Sequence, residues 1–344
     1  MMKPICKKPV MRNAGAFRDA LVGWFGREGR DYPWRSTVDP YEVLVSEVML
    51  QQTRIAVVLE RGYFERFLES FPTVWDLAEA GDEELLKAWE GLGYYRRARM
   101  LRDTARAVVE RHGGGFPEGE RELMELPGVG RYTVGALRAF AFGVPAVLVD
   151  GNVVRVLARV LDDRGDVHSA QGMKRMWEAA GALADDDRPR EYHAALMELG
   201  QTHCRRQGPG CLRCPVSGFC TTRDPDLVPV RKLRVVTEEV AEHAVWVRDG
   251  RGRILMNRES GSRRTGLWKL PLREAGEVSG LREVLFLKYG ITRYRVLLRV
   301  HDAGVVESGY DLREGDDWVE RGDLADLPMA APFRKAVGRL LKEM

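Results

Sequence analysis

Four cysteines crowd into one short stretch, Cys204-x6-Cys211-x2-Cys214-x5-Cys220, while a fifth, Cys6, stands alone near the N-terminus. Met1 to Val10 carries lysines but no apolar run behind them, so it does not read as a secretory leader. Thiols packed this closely in a chain of intracellular character point to a metal site more than to disulfides. Four thiolates complete either a tetrahedral zinc site or an iron–sulfur cluster. The spacing alone leaves both open, because a zinc knuckle commonly uses two close pairs and only one pair here is tight.

Around that cluster the sequence is helical. Apolar residues recur at helical spacing from Phe17 to Phe25, from Tyr41 to Phe71, and over Val74–Ala80, Glu83–Trp89, Arg96–Arg111 and Arg121–Leu126. The pattern resumes over Arg131–Phe142, Val153–Leu161, Met173–Ala184 and Glu191–Cys204, with no strand-like alternation before about residue 234. The character then changes. Pro225, Pro229 and the basic Arg231, Lys232 and Arg234 read as a linker. Beyond it come runs suited to strands, Val235–Thr237, Ala244–Val247, Ile254–Met256 and Val296–Val300, with helices expected at Leu281–Tyr289 and Phe333–Glu343. With 344 residues, the chain divides into a helical domain over 1–230, a linker over 231–238 and an α+β domain over 239–344. Charged residues make up 31 % but nearly cancel to +3, so any nucleic-acid partner depends on where the charge sits. The longest apolar candidate for a membrane span, Val134–Val149, is interrupted by Arg138 and Pro145, which predicts no membrane association.

Leu126-Pro127-Gly128-Val129-Gly130-Arg131-Tyr132-Thr133 lies between two helices. Gly128, Val129 and Gly130 permit a tight turn that brings backbone N–H groups and a helix N-terminus to an anion such as a DNA phosphate. Taken alone, the turn is better described as an ordinary connection between helices. Its context changes that. The hairpin, Val149-Asp150-Gly151-Asn152 and the four cysteines together resemble the helix-hairpin-helix glycosylase superfamily. Leu44-Val45-Ser46-Glu47-Val48-Met49-Leu50-Gln51-Gln52-Thr53, Gly91-Leu92-Gly93-Tyr94-Tyr95, Pro33-Trp34-Arg35 and the run Asp150–Arg159 resemble its adenine glycosylase (MutY) family. The likeness is strong over residues 16–222. It implies an all-α helix-hairpin-helix glycosylase of two helical modules, one of them holding a 4Fe–4S cluster on Cys204, Cys211, Cys214 and Cys220. A smaller α+β Nudix-like domain follows, matched more weakly and mainly through Gly266–Pro271.

Cleaving a purine from its sugar needs a proton on the leaving base and an ionised carboxylate facing the developing sugar cation. Glu47 has Val43, Leu44 and Leu50 at helical spacing, and apolar neighbours raise a carboxyl pKa. Asp150 precedes a helix, where the helix N-terminus favours its charged form, and either Asp150 or Asn152 suits the N-cap. The resemblance implies that Glu47 protonates adenine N7 and then activates water, that Asp150 stabilises the sugar cation or its adduct, and that Asn152 and Tyr132 orient Asp150. Tyr132 occupies the slot where bifunctional relatives place a Schiff-base lysine, so strand cleavage is not expected. Trp34, Arg35 and Leu50 match the family's adenine pocket, and Gln52 and Tyr94 match residues that wedge into the base stack. Core packing is the plain alternative for Trp34 and Tyr94.

Two departures stand out. Ala194 occupies a position where the family usually carries a Gln or Glu that bonds the flipped base, and an alanine cannot do so. In the second domain, Arg282-Glu283-Val284-Leu285 is followed by Phe286-Leu287, where Nudix hydrolysis needs two carboxylates, so that chemistry is not expected. The family's Phe-Ser/Thr-His loop, which reads the opposite base, is missing. The nearest stretch is Tyr289–Tyr294, and a stabilising or DNA-clamping appendage is the plain alternative. The expected function is a monofunctional glycosylase of base excision repair that removes adenine opposite 8-oxoguanine or guanine. Its partner would be double-stranded DNA bearing a mismatch or oxidised guanine, and the protein would be a cytoplasmic, nucleoid-associated or otherwise intracellular monomer. The alternatives are a mismatch glycosylase for another base, such as thymine in T:G, and a non-catalytic iron–sulfur DNA-binding protein.

Overall fold

The computed structural model describes residues 11, 13–230, 236–261, 264–307 and 309–343. Cys6, Val235 and the basic linker residues Arg231, Lys232 and Arg234 lie outside them. The helices begin with α1 (Ala14–Glu28), α2 (Pro40–Leu50), α3 (Ile55–Glu60), α4 (Tyr63–Ser70), α5 (Val74–Glu79) and α6 (Asp82–Ala88). They continue with α7 (Arg96–His112), α8 (Glu120–Met124), α9 (Arg131–Ala136), α10 (Gly151–Val160), α11 (Ala170–Leu183) and α12 (Pro189–Thr202). Strands follow: β1 (Glu238–Asp249), β2 (Ile254–Arg258), β3 (Trp268–Lys269), β4 (Leu272–Arg273), β5 (Arg282–Ile291), β6 (Tyr294–Val306) and β7 (Asp316–Val319), with α13 (Ala331–Leu340) last. By its contacts the chain forms two compact units, Met1–Gln51 with Ala107–Leu233, and Gln52–Arg106 with Arg234–Met344.

The first unit is a helical bundle. Its core is built from stripes three and four residues apart: Phe17, Leu21 and Trp24 of α1, Val153, Val156 and Leu157 of α10, and Tyr192, Leu196 and Leu199 of α12. Leu157 is fully buried, and cutting it to alanine costs about 2–5 kcal/mol. Local chemistry sets the helix starts. The Asp39 side chain accepts from Tyr41 N at 2.7 Å with Pro40 in the first turn, and Ser169 caps α11 through Gly172 N at 3.1 Å. Between α8 and α9 the chain reverses through Gly128 at φ +74°, a left-handed backbone that glycine adopts without strain. The helix expected to run from Arg131 to Phe142 changes winding on the way: α9 ends at Ala136 and Leu137–Ala141 forms a π-helical turn.

In the second unit a seven-stranded sheet runs in the order β3-β2-β1-β6-β5, with β4 pairing β1 and β7 pairing β2. β1 and β6 are parallel, Val240 facing Val296 and Ala244 facing Val300; β5 and β6 form an antiparallel hairpin with Gly290 opposite Arg295. The strands expected at Ala244–Val247, Ile254–Met256 and Val296–Val300 are present, and the terminal helix occupies Ala331–Leu340. The first β-branched run falls just outside: Val236 and Thr237 precede the strand, which starts at Glu238. Leu281–Tyr289 is a correction. It forms β5 and not a helix, because β6 supplies a full ladder of backbone partners and Leu287 buries opposite Leu298. For a segment carrying Val284, Phe286 and Tyr289, that cross-strand packing outweighs a weak local helical pattern.

Helix α6 and the part of α7 up to Arg106 belong to the same unit as the sheet, and named contacts hold them there. Arg334 grips Glu90 with Nε–Oε1 at 2.6 Å and Nη2–Oε2 at 2.9 Å. Tyr95 Oη donates to the Met329 carbonyl at 3.2 Å, and Arg99 Nη2 spans from Asp82 at 2.7 Å to the Thr265 carbonyl at 2.6 Å. Among the described residues no helix is long and apolar enough to cross a membrane. Deleting residues 234–344 takes Arg334 from Glu90, the Met329 carbonyl from Tyr95 and the Thr265 carbonyl from Arg99, and backbone amides of residues 85–101 should then exchange about tenfold faster or more. Equal protection in full-length and shortened protein would show that residues 52–106 hold their fold unaided.

Candidate active site and cysteine cluster

The apolar face of α2 buries Val43, Leu44 and Met49, and it carries Glu47 with them, leaving 6 % of the residue exposed. Desolvation of the carboxylate is the main cause of its raised pKa, about 7. The Tyr132 hydroxyl, presented by the first turn of α9, donates to Glu47 Oε2 at 2.7 Å and opposes the rise, while the charge of Asp150 adds to it. Burial in turn holds the Tyr132 hydroxyl well above the usual phenol range, so it stays a donor. Because Oε2 accepts that bond, Oε1 is left to carry the carboxylic proton.

Asp150 is the N-cap of α10. Its Oδ1 accepts from Val153 N at 2.7 Å and its Oδ2 from Asn152 Nδ2 at 2.7 Å. Capping therefore falls to Asp150, and Asn152 becomes its orienting partner. Two sequence expectations need correction. Burial lifts the Asp150 pKa above the ordinary aspartate value, overcoming the helix N–H and amide donors expected to hold it down. Tyr132 is bonded to Glu47, so the groups that hold Asp150 are the Asn152 amide and the Val153 backbone N–H.

Behind Asn152 lies a residue that sequence reading passed over. Arg155 Nη2 donates to Asn152 Oδ1 at 2.8 Å and to the Gly200 carbonyl at 2.6 Å, while its Nε donates to the Cys204 carbonyl at 2.6 Å. Gly200 allows this approach: a Cβ there would stand 2.6 Å from Asn152 Cβ. The spacing of Arg155, one turn after Asn152, was the available signal.

Trp34 and Arg35 sit in the 3-10 turn Pro33–Arg35, with the Trp34 ring stacked on Tyr32 at 5.2 Å. Arg35 Nη1 meets Glu198 Oε2 at 2.5 Å, a buried partner on α12 that the motifs did not single out. Leu50 ends α2, half-buried. Gln52 and Tyr94, in the other unit, share an unusual backbone. Both lie in the left-handed region, at φ +58° and +47°, and both are exposed, Tyr94 by 51 %. Such strain in non-glycine residues clusters at functional sites. Arg97 stands 5.5 Å from the Tyr94 ring and donates to Thr53 at 3.2 Å, linking the two segments. In the hairpin, Val129 is buried, while Gly128 and Gly130 are open to solvent.

Cys204, Cys211, Cys214 and Cys220 are free thiols lining one cavity of about 300 Å³, together with Arg159 and His203. Arg159 Nη1 points at Cys204 Sγ at 3.3 Å, and its Nε holds the Val228 carbonyl at 2.8 Å. Burial pushes the Cys214 thiol up to about 11, so its proton stays in place unless a cation replaces it. Among the described residues, no three His, Cys, Asp or Glu side chains are arranged to hold a single metal ion.

A family model for "HhH-GPD superfamily base excision DNA repair protein" matches residues 45–182, the stretch containing Glu47, the hairpin and Asp150. In three dimensions the chain resembles a thermostable thymine-DNA glycosylase (TM-score 0.56, 30 % identity, 61 % of this chain and 96 % of that one). It also resembles endonuclease III in a non-covalent DNA complex (TM-score 0.51, 27 % identity, 60 % of this chain and 92 % of that one). These define a helix-hairpin-helix base-excision protein. The sequence is 37 % identical over 210 residues to the adenine DNA glycosylase of Mycobacterium tuberculosis, covering 61 % of this chain and 68 % of that protein. It is 45 % identical over 217 residues to the human adenine DNA glycosylase, covering 60 % of this chain but only 39 % of the human protein. The chain belongs to the adenine DNA glycosylase family.

Glu47 titrates at about 7 in the fold, against 4.5 for an unperturbed glutamate. A raised folded-state pKa means that ionisation favours unfolding. The stability is complete below about pH 4.5 and is lost as pH rises through about 7. Glu47→Gln cannot ionise, so relative to wild type it should gain about 2–3 kcal/mol between pH 5 and pH 8, read from urea unfolding at both pH values. An unchanged difference would mean that Glu47 is not desolvated.

Proposed function

We propose that the protein is a monofunctional DNA glycosylase of base excision repair that removes adenine opposite 8-oxoguanine or guanine. The observation that carries this reading is a pair of carboxyl groups: buried Glu47 with a pKa of about 7, held by Tyr132, and partly buried Asp150, held by Asn152. An acid poised near neutrality is protonated often enough to donate and acidic enough to give the proton up. In the proposed reaction Glu47 protonates adenine N7, and the N-glycosidic bond breaks with its electron pair leaving on the base. The Asp150 carboxylate faces the sugar cation. Glu47, now ionised, then takes a proton from the water that attacks the sugar. Tyr132 offers no amine to the sugar, so no Schiff base forms and the strand stays intact.

Trp34, Arg35 and Leu50 are proposed to line the base pocket, and Gln52 and Tyr94 to fill the gap left in the duplex. Gly128 and Gly130 would present N–H groups to a phosphate, with buried Val129 between them giving its own N–H to the Leu126 carbonyl at 3.2 Å. Four thiols lining one cavity of about 300 Å³ match the ligand set of the 4Fe–4S cluster that the family resemblance implies. When bound, the cluster would cross-link the segment after α12 through Cys204, Cys211, Cys214 and Cys220. The domains proposed are 1–230 for the glycosylase, 231–238 for the linker and 239–344 for a Nudix-like module. The protein would act as an intracellular monomer on double-stranded DNA. With only a methyl group at Ala194, a thymine-directed T:G activity is the competing reading.

Incubation with a panel of mismatched duplexes, followed by alkali to reveal abasic sites, tests the substrate. Adenine release should dominate, and thymine release from T:G would overturn the assignment. The single-turnover rate should fall about tenfold per pH unit above about pH 7, because Glu47 must be protonated, and should fall again in acid as Asp150 loses its charge. A rate that rises through pH 7 would remove Glu47 as proton donor. Anaerobically purified protein should be brown and hold about four irons per chain; stoichiometric zinc without iron would exclude the cluster.

A further inference from the structure

Helix α12 presents Arg190, Ala194 and Glu198 four residues apart, one above another on one face. The outer two reach the same short turn. Arg190 Nη2 donates to the carbonyl of Arg35 at 2.7 Å and to that of Thr37, while its Nη1 donates to the Phe140 carbonyl, in the π-helical turn, at 2.6 Å. Glu198, whose side chain is 1 % exposed, takes Arg35 Nη1 at 2.5 Å and the backbone N–H of Arg30 at 3.0 Å. The Arg35 guanidinium also lies 4.6 Å from the Tyr32 ring centroid and 5.0 Å from that of Phe25. Between the two grips, Ala194 contributes only a methyl group and is 9 % exposed.

Pro33–Arg35 is one turn of 3-10 helix in the connection between α1 and α2, with few backbone bonds of its own. A segment of that kind needs outside anchors to keep one geometry. A buried Arg–Glu pair is weak evidence for stability, because desolvation offsets most of its attraction. What it supplies is direction: the fixed fork of Arg35 has one carboxylate to meet.

We propose that Arg190 and Glu198 are positioning residues of the base pocket, clamping the Pro33–Arg35 turn by its carbonyls on one side and by the Arg35 guanidinium on the other. The clamp rests on the reading of Trp34 and Arg35 as base-pocket residues.

The test compares wild type, Arg190→Met, Arg190→Lys and Glu198→Gln on a duplex carrying adenine opposite 8-oxoguanine. It measures single-turnover excision at saturating enzyme, duplex Kd and thermal midpoint. Arg190→Met should slow excision about 10²-fold, the scale of a misplaced reacting group, while Kd stays within about threefold. Arg190→Lys, which keeps the charge and can reach one carbonyl, should recover part of that loss; Glu198→Gln should slow excision with Kd unchanged. Excision within about threefold of wild type in folded Arg190→Met and Glu198→Gln overturns the clamp. Losses of rate that merely track losses of Kd and thermal midpoint also overturn it, since a structural role would produce them. If Arg190→Met does not fold, Arg190→Lys with wild-type excision overturns it. Wild-type protein that releases no base from any duplex overturns the underlying pocket reading, an outcome distinct from failure of the clamp.

Discussion

Two carboxyl groups are withdrawn from water, Glu47 almost wholly and Asp150 in part, and the charge of Asp150 reaches Glu47. A buried carboxylate is costly unless it is paired or gives up its charge. The fold uses both routes. Glu47 receives one neutral donor, the Tyr132 hydroxyl, and moves its pKa to about 7. Asp150 receives a helix N–H and the Asn152 amide, yet burial still lifts it. Two acids in one pocket thus keep different partners, which separates a proton donor from a group that faces positive charge.

Keeping that geometry requires each partner to be held in turn. Asn152 is fixed by Arg155, and Arg155 by the carbonyls of Gly200 and Cys204. The orientation of Asp150 therefore depends on where the chain runs just before the remaining cysteines. Arg159 ties the same segment to Val228 and reaches Cys204 Sγ. A cluster bound by the four thiols would brace the far end of this chain of hydrogen bonds, giving it a mechanical reason to exist even without redox chemistry. Helix α12 also grips the Pro33–Arg35 turn through Arg190 and Glu198, so one helix holds both Arg155 and Arg35.

The second unit follows a different rule. Its sheet pairs long strands, β1 with β6 and β6 with β5, and its terminal helix carries Arg334 to Glu90. Arg99 of α7 likewise reaches the Thr265 carbonyl, 166 residues along the chain. The exposed left-handed backbone of Gln52 and Tyr94 sits on this framework, where neighbouring structure holds strained residues in place.

Periodicity placed most helices up to residue 204 to within a few residues, because amphipathic stripes such as Phe17, Leu21 and Trp24 are local and regular, but it ran α2, α3 and α4 together as one stretch over 41–71. The four cysteines, Glu47 among Val43, Leu44 and Leu50, and the Asp150 position before a helix were likewise legible from neighbours along the chain. Segment 281–291 was not: its apolar residues fit either state, and only β6 as a ladder partner decided for a strand. Tyr132 could be named but not assigned its partner, since Glu47 is 85 residues away. Glu198 and Arg190 looked like ordinary charges on a helix, because Arg35 and Thr37 lie more than 150 residues earlier. The direction of the Asp150 shift also came from packing, as the local donors that favour its charge were visible in sequence and the burial that outweighs them was not. Side-chain identity and short-range spacing determined which groups carry the chemistry; long-range packing, which sets desolvation and distance, decided what each one touches.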